Sequence, residues 1–139
     1  MMSMINNHAE LDTNNPIKVM VIDDDPMVLH LISMILRDDN YQISTATSVP
    51  MAWEHLEKDL PHVICCDLMM PGVTGIDFLQ TRHELPGLKD VPVIVISGSG
   101  SDELFAQAKQ LGSYAILAKP FTSQQLTTTI NSAFIATAA

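Results

Sequence analysis

Five short stretches of this chain read as strands, at 18–22 (Lys-Val-Met-Val-Ile), 42–46, 63–66, 91–96 and 115–118. The first is a continuous β-prone run, the signature of a strand covered on both faces. Between them the spacing changes to a helical one. Val28, Leu31, Ile32 and Ile35 form a stripe that predicts a helix over 27–36. Ser48 followed by Pro50 opens a second helix through about residue 60. A third, 74–84, has Ile76, Phe78 and Leu79 to bury; a fourth spans about 102–111. Thr122, with Gln125 in the capping-box position, opens a fifth that ends near 136. Pro92 restricts the fourth strand run to an arrangement in which the proline stands near its start. Five strands alternating with five helices predict a parallel sheet, helices on both faces, joined by right-handed crossovers.

Residues 1–16 are polar, with little to bury, and read as a flexible leader, leaving 17–139 as one domain. The leader lacks the basic-then-apolar order of a signal peptide, and no apolar run approaches the roughly 20 residues that span a bilayer. A soluble protein with no membrane partner is expected. Sixteen acidic against seven basic residues give a formal charge of -9, which argues against direct binding to nucleic acid. The two cysteines, Cys65 and Cys66, are neighbours on a strand and point to opposite faces, so they are expected as buried free thiols in a cytoplasmic setting. The five histidines are scattered, with no zinc-ligand spacing, and read as surface or packing residues.

Chemistry enters where the strands stop. Asp23, Asp24 and Asp25 follow the first strand, and with Pro26 they suit a helix amino terminus. Asp67 follows the third, before Pro71-Gly72; Ser97 closes the fourth and Lys119 the fifth. Each alone is an ordinary cap, turn or solvated residue. Together they must share the carboxyl edge of one sheet, where open α/β proteins bind ligands. Three crowded carboxylates need a cation, since like charges ~4 Å apart repel by on the order of 4 kcal/mol at an effective dielectric of ~20. All-oxygen donors without His or Cys suit Mg2+, and no calcium-loop spacing is present. A magnesium ion beside a carboxylate, a hydroxyl and an ammonium is the equipment for phosphoryl transfer to Asp67.

The sequences Val-Ile-Asp23-Asp24-Asp25-Pro, Asp67-Leu-Met-Met-Pro-Gly, Val-Ile-Val-Ile-Ser97-Gly and Ala-Lys119-Pro120-Phe resemble the receiver domains of two-component response regulators, over about 18–136. The resemblance implies a flavodoxin-like (βα)5 fold with strand order 2-1-3-4-5. It implies phosphorylation of Asp67 by a sensor histidine kinase or phosphotransfer protein, with slow self-dephosphorylation and no other enzymatic activity. Asp23 and Asp24 would be the acidic pair, Asp24 the more direct metal ligand, and the Met69 carbonyl a further ligand. Ser97 would be the switch hydroxyl, Lys119 the phosphate-pairing amine, and Lys119-Pro120 a cis peptide. A downstream effector domain or protein would read the surface of the fourth and fifth helices and fifth strand.

The chain departs from the family pattern at Ile116, which stands where the usual switch aromatic would be, with Tyr114 the nearest aromatic. Gly98 replaces a common alanine after the switch hydroxyl, in a Gly98-Ser99-Gly100 loop expected to be loose. Met69 and Ser99 occupy positions where the family varies residues that tune phosphate lifetime. Phe121 to the end carries no charged residue, so the last helix either packs on a partner, a homodimer included, or on further chain, or presents a plain neutral face. Two other readings compete: a degenerate receiver that signals without phosphate, and a magnesium phosphohydrolase with an aspartyl intermediate. The intact Asp24, Asp67, Ser97 and Lys119 disfavour the first, and Met69, where such hydrolases place a second acid, disfavours the second. Flavin or nucleotide binding lacks any glycine-rich phosphate loop.

Overall fold

In the computed structural model, which describes residues 15–98 and 102–138, the five predicted strands form one parallel sheet. The strands are β1 (Ile17–Ile22), β2 (Tyr41–Ala46), β3 (Val63–Asp67), β4 (Val93–Ser97) and β5 (Ala115–Ala118). They lie in the order β2-β1-β3-β4-β5. The helices between and after them are α1 (Pro26–Ile35), α2 (Val49–Leu56), α3 (Gly75–Thr81), α4 (Asp102–Gln110) and α5 (Ser123–Ala138). The leader predicted for 1–16 lies almost wholly outside the described residues.

Alternate strand residues feed two cores. Met20, Ile22, Ile64, Cys66, Val93 and Val95 pack with Ala52 and Leu56 of α2, Phe78 and Leu79 of α3, and Ala108 of α4. Val19, Val21, Val63, Cys65, Ile94 and Ile96 pack on the other face with Leu29 and Ile32 of α1 and Leu126, Ile130 and Ala133 of α5. Cys65 and Cys66 are free and buried in opposite layers, so no disulfide links them. Burial pushes the Cys65 thiol up to about 12.

Turn and cap chemistry sets the boundaries. Pro26 and Pro50 stand in the first turns of α1 and α2, where a missing N–H costs nothing. Ser48 Oγ accepts the Met51 N–H at 3.2 Å. The Thr122–Gln125 capping box closes in both directions, at 2.8 and 3.0 Å. Several predicted ends shift. β4 begins at Val93, after Pro92 rather than at residue 91. The helix expected to reach residue 60 stops at Leu56, and the one expected to reach 84 stops at Thr81 and tightens into a 3-10 turn, Arg82–Glu84. Of the three acids expected at the start of α1, only Asp25 caps it, accepting the Met27 N–H at 2.9 Å. Asp23 and Asp24 precede the helix and are left for other work.

Arg82 was not singled out from the sequence and is buried on the α3 side of the sheet. Its guanidinium donates to the carbonyls of Val91 at 3.1 Å, Gly112 at 3.1 Å and Leu111 at 3.4 Å. Its position could have been suspected, because it lies four residues after Phe78 and three after Leu79, on the stripe that α3 buries.

Candidate functional site

Register decides what meets at the carboxyl edge. Ile22 is paired with Cys66, so Asp23 and Asp67 leave their strands level with one another. Asp67 is paired with Ile96, which places Ser97 one step further along the same edge, and Ser97 is paired with Ala118, the residue before Lys119. The Lys119–Pro120 peptide is cis.

One carboxylate oxygen each from Asp23, Asp24 and Asp67 lies within 4.8 Å of the other two. Asp23 is buried and held at both oxygens: Oδ1 accepts the Asp25 N–H at 2.9 Å and Oδ2 accepts from Lys119 Nζ at 3.0 Å. Asp67 is also buried; its Oδ1 accepts the Met69 N–H at 3.3 Å, and Lys119 Nζ stands 3.7 Å from its Oδ2. Asp24 is exposed. Ser97 is buried at the end of β4, and Gly98 is exposed beside the aliphatic stem of Lys119, where a Cβ would make ordinary contact at 3.4 Å. The rest of the Gly98-Ser99-Gly100 loop lies outside the described residues.

The electrostatics follow from this crowding. Burial pushes the Asp67 carboxyl above its ordinary range, and the Asp23 charge adds to that against the opposing pull of Lys119 and the Met69 N–H. For Lys119 burial works against the ammonium, but the bond to Asp23 and the charges of Asp23, Asp67 and Asp25 outweigh it, so its pKa rises. Among the described residues the three carboxylates outnumber the one ammonium. Hard oxygen donors, one of them exposed, with no nitrogen or sulfur ligand, fit a divalent ion of the magnesium class.

Gly75 is a site-supporting residue that the sequence reading passed over. A Cβ there would collide with the Asp67 carbonyl oxygen and stand 2.9 Å from Leu68 Cα. Only glycine lets the start of α3 close over the end of β3, and the Gly75 N–H donates to Leu68 O at 3.2 Å. Thr74 and Asp77 complete that start as a reciprocal capping box.

The sequence model of the response regulator receiver domain matches residues 19–131. The chain belongs to that family. Receiver domains generally bind Mg2+, and the acidic cluster is where this one has the donors for it. Among relatives, the chain is 32% identical to response regulator Rre1 of Synechocystis over 80% of its length, and 31% identical to a probable chemotaxis protein CheY of Rhizobium etli over 85%. It covers 92% of the CheY relative but only 48% of Rre1, and 23% of DctD from Pseudomonas aeruginosa. The chain thus spans less than half of Rre1 and less than a quarter of DctD. Its fold matches chemotaxis protein CheY4 of Vibrio cholerae with a TM-score of 0.80 at 27% identity, covering 86% of this chain and 99% of that one. A putative response regulator from Chloroflexus aurantiacus gives 0.81 at 26%, covering 87% and 99%.

The receiver's remaining sequence-marked residues separate into near and far. Ile116 is half-buried against the α2–α4 core, while Tyr114, two residues earlier, is 42% exposed. The Met69 side chain is half-exposed, so the residue meets the site through its backbone. Among the described residues no helix is long and apolar enough to cross a membrane.

Proposed function

We propose that this receiver accepts a phosphoryl group on Asp67 from the phosphohistidine of a sensor kinase or phosphotransfer protein, and that the modified domain is read by an effector. The observation that carries the reading is the meeting of Asp23, Asp24, Asp67 and Lys119 at one sheet edge, with Lys119 3.7 Å from Asp67 Oδ2 while the Met69 N–H holds Oδ1.

In this mechanism Asp67 Oδ2 attacks phosphorus in line while the N–P bond of the donor imidazole breaks. The imidazole departs with the electron pair and an acyl phosphate remains. Asp23, Asp24, Asp67 and the Met69 carbonyl would hold a magnesium ion, which would supply positive charge to the phosphate oxygens. Met69 N–H orients the nucleophile through Oδ1. Lys119 moves its interaction from Asp23 toward the new phosphate oxygens, and Ser97 donates its hydroxyl to another. Acceptance is stoichiometric, with slow self-dephosphorylation and no separate substrate to turn over.

The output surface is α4, β5 and α5. With Ile116 in the aromatic switch position, the readout rests on movement of α4. The uncharged outer face of α5 serves an effector or a second copy. A cytoplasmic setting suits two free thiols, and the -9 charge disfavours direct nucleic-acid binding.

Incubation with acetyl phosphate and Mg2+, followed by intact mass, tests this. One phosphoryl group that is lost in Asp67→Asn is expected. Mass gain that persists in that variant, or none in the wild type with either acetyl phosphate or phosphoramidate, would overturn it.

A further inference from the structure

Among the described residues Arg82 carries its charge into the interior without a carboxylate beside it; its acceptors there are three carbonyls, two of them at the end of α4. The Gly112 N–H donates to Lys109 O at 3.0 Å and the Ser113 N–H to Ala108 O at 3.1 Å, the crossed pair of bonds that closes a helix with a left-handed residue, here Gly112 at φ 92°. The carbonyls of Leu111 and Gly112 then face outward from the helix end, and the guanidinium of another helix covers them. That end is also the negative pole of the α4 dipole, which is where a cation is favoured. Gly112 is fitted to this arrangement twice, since a Cβ there would stand 2.9 Å from Arg82 Nη2.

The two ends of α4 are built differently. Its one fully buried side chain, Ala108, lies in the last turn. In the first half Asp102 and Glu103 are exposed and Leu104 and Phe105 only half-buried. That half is the one that follows Ser97 and Gly98 at the candidate site.

We propose that Arg82 makes the carboxyl end of α4 the fixed end about which the helix moves when the Asp67 site is loaded. The proposal rests on the phosphoacceptor reading and adds a direction to it. Changes at the strand edge displace the first turns of α4, while Arg82 ties the last turn to the β4 approach through Val91. Without the guanidinium the helix would shift as a whole, and the response would spread into the α4–β5 turn.

Hydrogen exchange read by mass spectrometry tests this on the full chain, with Mg2+ alone and with Mg2+ and beryllofluoride. In the wild type, beryllofluoride is expected to change exchange severalfold over 102–106 while the amides of Leu111, Gly112 and Ser113 stay within about twofold. In Arg82→Met those three amides should exchange roughly tenfold faster and should now respond to beryllofluoride. Arg82→Lys, reaching fewer carbonyls, should fall between. The proposal is overturned if residues 111–113 respond in the wild type as strongly as 102–106, or if Arg82→Met leaves both protection and response unchanged. No response anywhere in the wild type, Asp67 and its neighbours included, would instead remove the phosphoacceptor reading and the moving helix with it.

Discussion

Lys119 and Arg82 are both cations drawn out of bulk water, and their surroundings differ in kind. Lys119 faces ionisable partners: Asp23 at 3.0 Å and Asp67 at 3.7 Å, in a cluster where negative charge is in excess. Arg82 faces main-chain carbonyls, which carry no net charge and cannot titrate. The first environment can be rearranged by an incoming anion or cation, because its partners are imperfectly satisfied. The second has nothing to exchange. Under the proposed mechanism, the site that changes state holds its cation with surplus carboxylate, and the helix end that stays in place holds its cation with dipoles.

Substitutions at each cation and its partners can break that contrast. The largest effect is expected for Asp67→Asn, which removes the proposed nucleophile and should lower phosphoryl uptake from acetyl phosphate by ~10³-fold or more in intact-mass time courses. Lys119→Met should leave the nucleophile but cut the uptake rate by about 10²-fold, the scale of losing one pre-placed donor to a developing oxyanion. Arg82→Met should reverse the pattern. Uptake stays within about twofold, while urea unfolding shows a loss on the order of 3 kcal/mol from carbonyls left unpaired in the interior.

A smaller effect concerns pH. The Asp67 pKa in the fold is raised, so its favourable contribution is complete below the ordinary carboxylate range and is lost as pH climbs through the raised value. At neutral pH the ionised group burdens the metal-free fold. Metal-free Asp67→Asn should then unfold at higher urea, with the advantage shrinking as acid returns the proton to the wild type. An advantage that grew on acidification would contradict the crowding described for this cluster. The smallest change is expected for Gly98→Ala, whose methyl would meet Lys119 at van der Waals distance; stability should move by less than ~0.5 kcal/mol.

The strands and the strand-end residues were legible because both depend on local pattern. Continuous β-prone runs mark buried parallel strands, and in a parallel βα sheet every strand end falls on one edge. What the sequence could not give was which partner each end group takes. Asp23, Asp24 and Asp25 look alike in a row, yet Asp25 caps α1, Asp23 is buried against Lys119, and Asp24 faces solvent. The division follows from strand direction and register, which single-chain patterns do not encode. Helix ends at Leu56 and Thr81 came earlier than expected because apolar spacing continues through 3-10 turns and loops that still pack on the core. Gly75 and Arg82 were missed for a related reason. Their importance comes from contacts with the Asp67 carbonyl and with carbonyls about 9 to 30 residues away, and no neighbour in sequence advertises those.

The adjacent thiols offer an internal stopwatch. Cys65 lies in the layer under α1 and α5, and Cys66 in the layer under α2, α3 and α4. Neither can react with an alkylating reagent until its own layer parts. The order in which the two are labelled would report which side of the sheet opens first, without a dye, a tag or any engineered residue.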